Sequence, residues 1–249
     1  SLTGFPPAPI SPVQSSSYPT VLFNAMVKPW TAFPIKGVIW YQGEANVGRS
    51  EQYGDLFPAL ITDWRRQWRS DFPFYFVQLA NFMESKKIQP DSEWAALREA
   101  QTKALKLDQV GMAVTIDIGL ADDIHPKNKQ EVGRRLALVA LAGSYGKNVS
   151  SSAPVFQNYI IKGNKMELDF GQKQDGFQIK GTTLKGFTIA GPDRVFYPAE
   201  AMVHDGKIIL SSTEVPAPLA ARYGWADNPD CNLYGENGLP VAPFRTDCW

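Results

Sequence analysis

The strongest constraint on this chain's fold is a change of hydrophobic period part-way along it. Between residues 36 and 143, short apolar runs alternate with segments of helical spacing. Lys36–Tyr41 is apolar and ends in the polar loop QGEAN. Tyr53, Leu56, Phe57, Leu60, Ile61, Trp64 and Trp68 follow at 3,4 spacing, which puts them on one helical face. Pro58 lies inside that segment, so the helix either kinks there or starts near Phe57. Phe74–Leu79 reads as a second strand. Glu93–Leu107 reads as a second helix, with Trp94, Leu97, Gln101 and Ala104/Leu105 inward. Met112–Asp117 reads as a third strand. Pro126 then opens a third helix, with Val132, Leu136, Val139 and Ala140 on one face. Strands alternating with helices predict an α/β fold with a parallel sheet covered on both faces.

After about Ser150 the period shortens. NYIIKG, KMELDF, GFTIAG, RVFYPAEAMV, KIILSS and LAARYGW are separated by turn signals at Lys162-Gly163-Asn164 and His204-Asp205-Gly206. This predicts an antiparallel β-module. Residues 223–249 read as an irregular tail, and the Pro/Ser-rich residues 1–19 as an extended linker. The expected organisation is therefore linker 1–19, α/β domain 20–149, and β-module with tail 150–249.

Lys+Arg and Asp+Glu number 25 each. That balance argues against electrostatic binding of nucleic acid and against a polybasic membrane anchor. No run of eighteen apolar residues is present to span a bilayer. Cys231 and Cys248 either close a short loop as a disulfide or stay free thiols. With only His125 and His204 besides, they form no zinc pattern.

Ligands of open parallel sheets bind at the C-terminal ends of the strands. Two polar loops fall there: Gln42-Gly43-Glu44-Ala45-Asn46 and Asp122-Asp123-Ile124-His125. An acid three residues before a histidine in a tight loop, as Asp122 is before His125, can accept the imidazole N–H, fix its tautomer and leave the other ring nitrogen as a base for a serine hydroxyl. The Gln42 amide and the Gly43 N–H can donate to a developing oxyanion. The bland readings are a helix-entry acidic cluster and a capping or surface histidine. A metal site at Asp122, Asp123 and His125 lacks a further ligand nearby. Trp40 and Tyr41 read as core, His204 as an exposed turn residue, and Arg65-Arg66-Gln67 as a solvated face.

Several motifs in order carry a resemblance. These are GVIWYQGEAN (37–46), Asp117-Ile118-Gly119, DIHPKNK (123–129), and the closing Asn232-Leu233-Tyr234, Gly238-Leu239-Pro240 and PFRTD (243–247). Together they resemble sialate O-acetylesterases of the SGNH-hydrolase superfamily, from about Pro19 to the C-terminus. Arg98-Glu99-Ala100-Gln101 matches the same pattern. The resemblance implies a flavodoxin-like, three-layer SGNH domain with a β-module attached. It implies removal of O-acetyl groups from sugars without metal or organic cofactor, in a periplasmic or secreted setting. His125 would be the base and Asp122 its acid partner, with Asp123 the alternative. Gln42, Gly43, Glu44, Asn46 and Arg98 would serve the oxyanion and position substrate.

The family's nucleophilic serine lies in a Gly-Asp-Ser or Gly-Gln-Ser-Asn turn, and neither occurs here. Gln14-Ser15 has the right pair but sits in the linker. The expectation is a C-terminal portion of a longer enzyme, without its first strand and nucleophile and inactive by itself. Its partners would be an acetylated sugar and the missing N-terminal part. The competing readings are an acetylxylan or other polysaccharide esterase, and a non-catalytic carbohydrate-binding module.

Overall fold

The computed structural model describes residues 18–171 and 176–249. Most of the predicted linker lies outside the described residues. The α/β half contains strands β1 (Val38–Trp40), β2 (Phe74–Val77) and β3 (Val110–Ala113), parallel and in the order β1-β2-β3. Helices α1 (Ser50–Trp68) and α2 (Glu93–Thr102) cover one face, and α3 (Lys129–Gly143) covers the other. The alternation of β2 explains the layers. Phe74 and Phe76 pack with Phe57, Ile61, Trp94 and Leu97, while Tyr75 and Val77 pack with Val132, Leu136 and Val139. All four β2 residues are buried, as expected of a central parallel strand.

Boundaries differ from the sequence reading in physically simple ways. Helix α1 runs through Pro58 from Ser50 rather than starting near Phe57. The single hydrogen bond that proline removes is outweighed by the apolar face that Tyr53 and Phe57 before it and Ile61 after it bury. Helix α2 gives way after Thr102 to a 3-10 turn, Lys103–Lys106. Strand β3 ends at Ala113, because Thr115 turns its hydroxyl onto the Gln78 carbonyl (2.6 Å). Helix α3 starts at Lys129, not Pro126. Asn128 is its cap, accepting the Glu131 N–H at 3.1 Å.

The second half supplies β4 (Asn158–Lys162), β5 (Lys165–Asp169), β6 (Phe177–Ile179), β7 (Phe187–Ala190) and β8 (Phe196–Pro198). It continues with β9 (Glu200–His204), β10 (Lys207–Ser211), β11 (Ala220–Tyr223), β12 (Leu233–Gly235) and β13 (Phe244–Arg245). They form sheets β4-β5-β10-β9 and β13-β11-β7-β8 and a β12-β6 pair, all antiparallel. Met166, Leu168, Ile208, Leu210, Ile189, Tyr223 and Leu233 make one shared core. Residues 223–249 are thus not an irregular tail, since they contribute β12 and β13. The runs are too short for period alone to reveal them. Both cysteines are free: Cys231 is half-buried and Cys248 exposed.

Polar contacts join the two halves. Arg135 on α3, almost wholly buried, holds Asp117 through two hydrogen bonds (2.6 and 2.9 Å) and also bonds Glu131 (2.7 Å). Tyr234 of β12 donates to the same Asp117 at 3.1 Å. Arg245 of β13 grips Glu99 of α2 at 2.8 and 2.9 Å. At the other side of the α/β sheet, β1 pairs only with β2 among the described residues. Ile39, the middle residue of β1, is 69% exposed.

Asp117→Ala leaves Arg135 buried and underpaired, at a cost of about 3–5 kcal/mol. Calorimetry is expected to show Tm lower by on the order of 10 °C. A second expectation concerns acid. The hydrogen bonds from Arg134, with help from Arg135, outweigh burial and hold the Glu131 carboxyl down at about 2, below its ordinary 4.5. A depressed acid stabilises the fold above its ordinary value and loses that contribution as pH falls toward the lowered one. Urea unfolding of wild type should therefore weaken more steeply between pH 4.5 and about 2 than that of Glu131→Gln.

Candidate active site

Because β1, β2 and β3 run parallel, the loops that leave them emerge on one edge of the sheet. The loop after β1 is built by side chains from the helices below it. Gln101 of α2 is fully buried. Its Oε1 accepts the Leu79 N–H (2.9 Å), and its Nε2 donates to the Gln42 carbonyl (3.3 Å) and the Val77 carbonyl (3.4 Å). One amide thereby ties the exits of β1 and β2 together. Tyr53 of α1 places its hydroxyl 3.2 Å from both the carbonyl and the side-chain oxygen of Gln42. Burial pushes the Tyr53 hydroxyl up, so it stays a protonated donor.

Gln42 Nε2 in turn donates to Asn46 Oδ1 at 2.7 Å across the short 3-10 turn Glu44–Asn46. Gly43 is buried under this turn. A Cβ there would lie 3.2 Å from Gln101 Nε2 and 3.3 Å from Leu79 Cδ2, so only glycine fits without displacing them. Glu44 is half-buried beside Tyr41, whose hydroxyl is pushed up to about 12 by burial first and Glu44 second.

The histidine loop runs from Asp117 to Asn128 and is pinned at both ends by the Arg135 pair and the α3 cap. Its first turn is fixed by Asn81, whose Oδ1 accepts the Gly119 N–H at 2.6 Å. A Cβ at Gly119 would stand 1.8 Å from the Asn81 carbonyl oxygen, so the close approach of the two loops requires glycine. Leu120 bridges to Phe82, and Ile124 packs onto the α1/α2 core.

His125 is thus presented outward on a fastened loop, with its side chain 83% exposed. Asp123 Oδ1 accepts the His125 backbone N–H at 2.9 Å and stands 3.7 Å from Nδ1. Asp122 is exposed. The carboxylate beside the imidazole is therefore that of Asp123, although the three-residue spacing favoured Asp122. Lys129, the first residue of α3, places its ammonium 5.0 Å from the Tyr41 ring centroid, linking the β1 exit to the histidine loop.

Arg98 takes a different place from the substrate-positioning one expected of it. It has no exposed surface, and all its nitrogens donate to backbone carbonyls of Leu79, Ala80, Ala226 and Asp227. It is a strut under the edge. Sequence reading placed Gln101 and Tyr53 on inward helical faces but not their ties to Gln42, and it missed Asn81. The available signal was a polar side chain on an otherwise apolar inward face, or directly after a strand. Among the described residues no serine hydroxyl is hydrogen-bonded to His125. Ser15 lies outside the described residues.

Comparison with known proteins shows the family. Residues 11–142 match the family described as carbohydrate esterase, sialic acid-specific acetylesterase. The chain is 32% identical to the sialate O-acetylesterases of Pongo abelii and Homo sapiens, across 95% of its own length and 50% of theirs. It spans about half the length of these curated relatives. A crystal structure of a carbohydrate acetylesterase from Xanthomonas citri superposes with a TM-score of 0.88 at 46% identity, covering 93% of this chain and 55% of that one. With its mixed α/β and antiparallel architecture and these matches, the chain belongs to the sialic acid-specific acetylesterase family of carbohydrate esterases.

Proposed function

We propose that the chain carries the base-bearing part of a serine-type carbohydrate O-acetylesterase of SGNH type. One observation carries this reading: a fastened outward histidine with a carboxylate beside it shares a sheet edge with a glycine-centred amide loop. In the proposed reaction His125 takes the proton of a serine hydroxyl as that oxygen attacks the acetyl carbonyl. Asp123 orients the imidazole and stabilises the imidazolium. Closing the 3.7 Å separation to a hydrogen bond takes a small rotation of an exposed ring. The Gly43 N–H and the amide of Asn46 or Gln42 face the charge that develops on the carbonyl oxygen. The imidazolium then protonates the departing sugar hydroxyl, and water, activated by the same base, releases acetate.

The nucleophile belongs, in this reading, to a further strand that pairs with β1. Two features support it. The hydrogen-bonding edge of β1 has no partner among the described strands. Ile39 also faces outward from the middle of the strand, although parallel strands are normally covered on both faces. A strand laid there would end on the edge that holds His125 and Gly43. It would come from the remainder of the protein or from a second chain.

Acetate release from p-nitrophenyl acetate tests this. The full gene product is expected to turn over, and the 249-residue chain alone to remain near background. Equal rates would overturn the split nucleophile. In the full product, His125→Ala should cost about 10⁴-fold or more in kcat. Asp123→Asn should cost on the order of 10⁴-fold and Asp122→Asn little. The reverse ranking would return the acid role to Asp122. An unchanged His125→Ala rate would refute the mechanism. A panel of O-acetylated sialic acids against acetylated xylan then reads the substrate class.

A further inference from the structure

The loop after β1 contains a chain of hydrogen bonds whose direction is fixed from its buried end. Tyr53 is 4% exposed, and its hydroxyl lies 3.2 Å from the Gln42 side-chain oxygen and 3.2 Å from the Gln42 carbonyl. The same hydroxyl faces two N–H groups, those of the Trp40 indole and the Gln101 amide. Trp40 Nε1 is buried and makes no hydrogen bond of normal length, and an indole nitrogen can only donate. Gln101 has only its nitrogen to offer here, because its oxygen accepts the Leu79 N–H at 2.9 Å. The Tyr53 oxygen is therefore met by donors, and its own proton goes to Gln42.

That choice sets the next two groups. An amide can turn either its oxygen or its nitrogen to a neighbour. With the Tyr53 proton on Oε1, Gln42 turns Nε2 to Asn46 and donates to Oδ1 at 2.7 Å. The Asn46 oxygen is then occupied, and its Nδ2 has no hydrogen-bond partner among the described residues. Asn46 is half-buried, and this nitrogen is not one of the buried unpartnered atoms, so it reaches the outside. The residue itself is held by backbone: its N–H donates to the Gly43 carbonyl at 2.8 Å, and its carbonyl accepts the Arg49 N–H at 2.9 Å. Run in reverse, the same chain of bonds would turn the Asn46 oxygen outward. An N–H stabilises a developing oxyanion and a carbonyl oxygen repels it, so the direction of the chain decides whether this loop assists the reaction.

We propose that Tyr53 is a positioning residue for ester hydrolysis: its hydroxyl fixes the direction of the Gln42–Asn46 amide pair, so that Asn46 presents Nδ2 and not its oxygen to the substrate carbonyl. The inference rests on the esterase reading above. It adds a residue that neither touches substrate nor moves a proton, and that acts only through Gln42.

Kinetics of the full gene product on p-nitrophenyl acetate test the role. Tyr53→Phe keeps the packed ring and should lower kcat about tenfold with KM unchanged. Its pH profile should keep the wild-type limbs, since the hydroxyl takes no part in proton transfer. Asn46→Ala should cost on the order of 10²-fold in kcat. Adding Tyr53→Phe to Asn46→Ala should cost nothing more, because the group it orients is gone. A merely structural tyrosine would lower kcat by the same factor in both backgrounds, and that result would overturn the proposal. So would an unchanged kcat in Tyr53→Phe, or a displaced limb of its pH profile. Side-chain amide NMR of the 249-residue chain reads the orientation without turnover. In wild type, one Gln42 Nε2 proton should lie downfield and exchange slowly, while both Asn46 Nδ2 protons exchange fast. In Tyr53→Phe this contrast should vanish, and unchanged amide signals would overturn the proposal whatever the kinetics. A contrast that depends on Tyr53, in a protein whose rate survives His125→Ala, would support the orienting role and refute the esterase mechanism, so the two failures are distinguishable.

Discussion

A fully buried cation, Arg98, braces the candidate edge from below. Arg98 has no solvent contact and no carboxylate bonded to it, yet it stays charged. Burial lowers its pKa only to about 10, with Cys231 and Asp227 opposing the shift. Four carbonyls take the place of water around the guanidinium, two from the exit of β2 and two from the segment after β11. Ala80 also accepts the Trp94 indole N–H (2.7 Å) and Asp227 the Phe82 N–H (3.2 Å), so the carbonyls that depend on the arginine are those of Leu79 and Ala226, at a cost of about 1–3 kcal/mol apiece if left without a donor. The arrangement is reciprocal: the loops solvate the arginine, and the arginine fixes the loops. Without it, residues 79–80 and 226–227 lose the bonds that run through the guanidinium and are joined by the neighbouring Phe82–Asp227 and Asn81–Asn228 bonds.

Around that strut the edge is assembled by side chains that bond backbone. Gln101 reaches Gln42, Asn81 reaches Gly119, and Thr115 reaches Gln78. Irregular loops at a sheet edge carry amides and carbonyls that no neighbouring strand can satisfy. Here the helices and adjacent loops satisfy them, so the edge holds its shape with few regular hydrogen bonds of its own. The two candidate loops are positioned by this indirect scaffolding, and their own sequences contribute mainly the glycines that permit close approach.

This explains what could be read from the sequence and what could not. The layers were legible because they follow from period: Phe74 and Phe76 against Tyr75 and Val77, and Tyr53, Phe57 and Ile61 on one helical stripe. The positions of the QGEAN and DDIH loops followed from the parallel topology. The pairing of β6 with β12 was not legible, since three-residue strands leave no periodic trace. Nor was it legible which of Asp122 and Asp123 stands beside His125, because spacing along the chain does not say that Asp123 turns back onto the His125 amide. Arg98 was the instructive error. Its place in the REAQ segment was right, but an arginine fully surrounded by carbonyls looks the same in sequence as one that reaches a ligand.

The open side of β1 has a consequence for how the isolated chain behaves. Leu22, Met26, Trp30 and Phe33 are exposed in the segment that leads into β1, and Ile39 is exposed on the strand itself. An unpaired strand edge beside apolar side chains is a template for pairing with any other extended chain. No charge repulsion protects it, since the net charge is zero. In concentrated solution that edge is where copies of this chain would meet, so its colloidal behaviour is set by the three residues Val38 to Trp40.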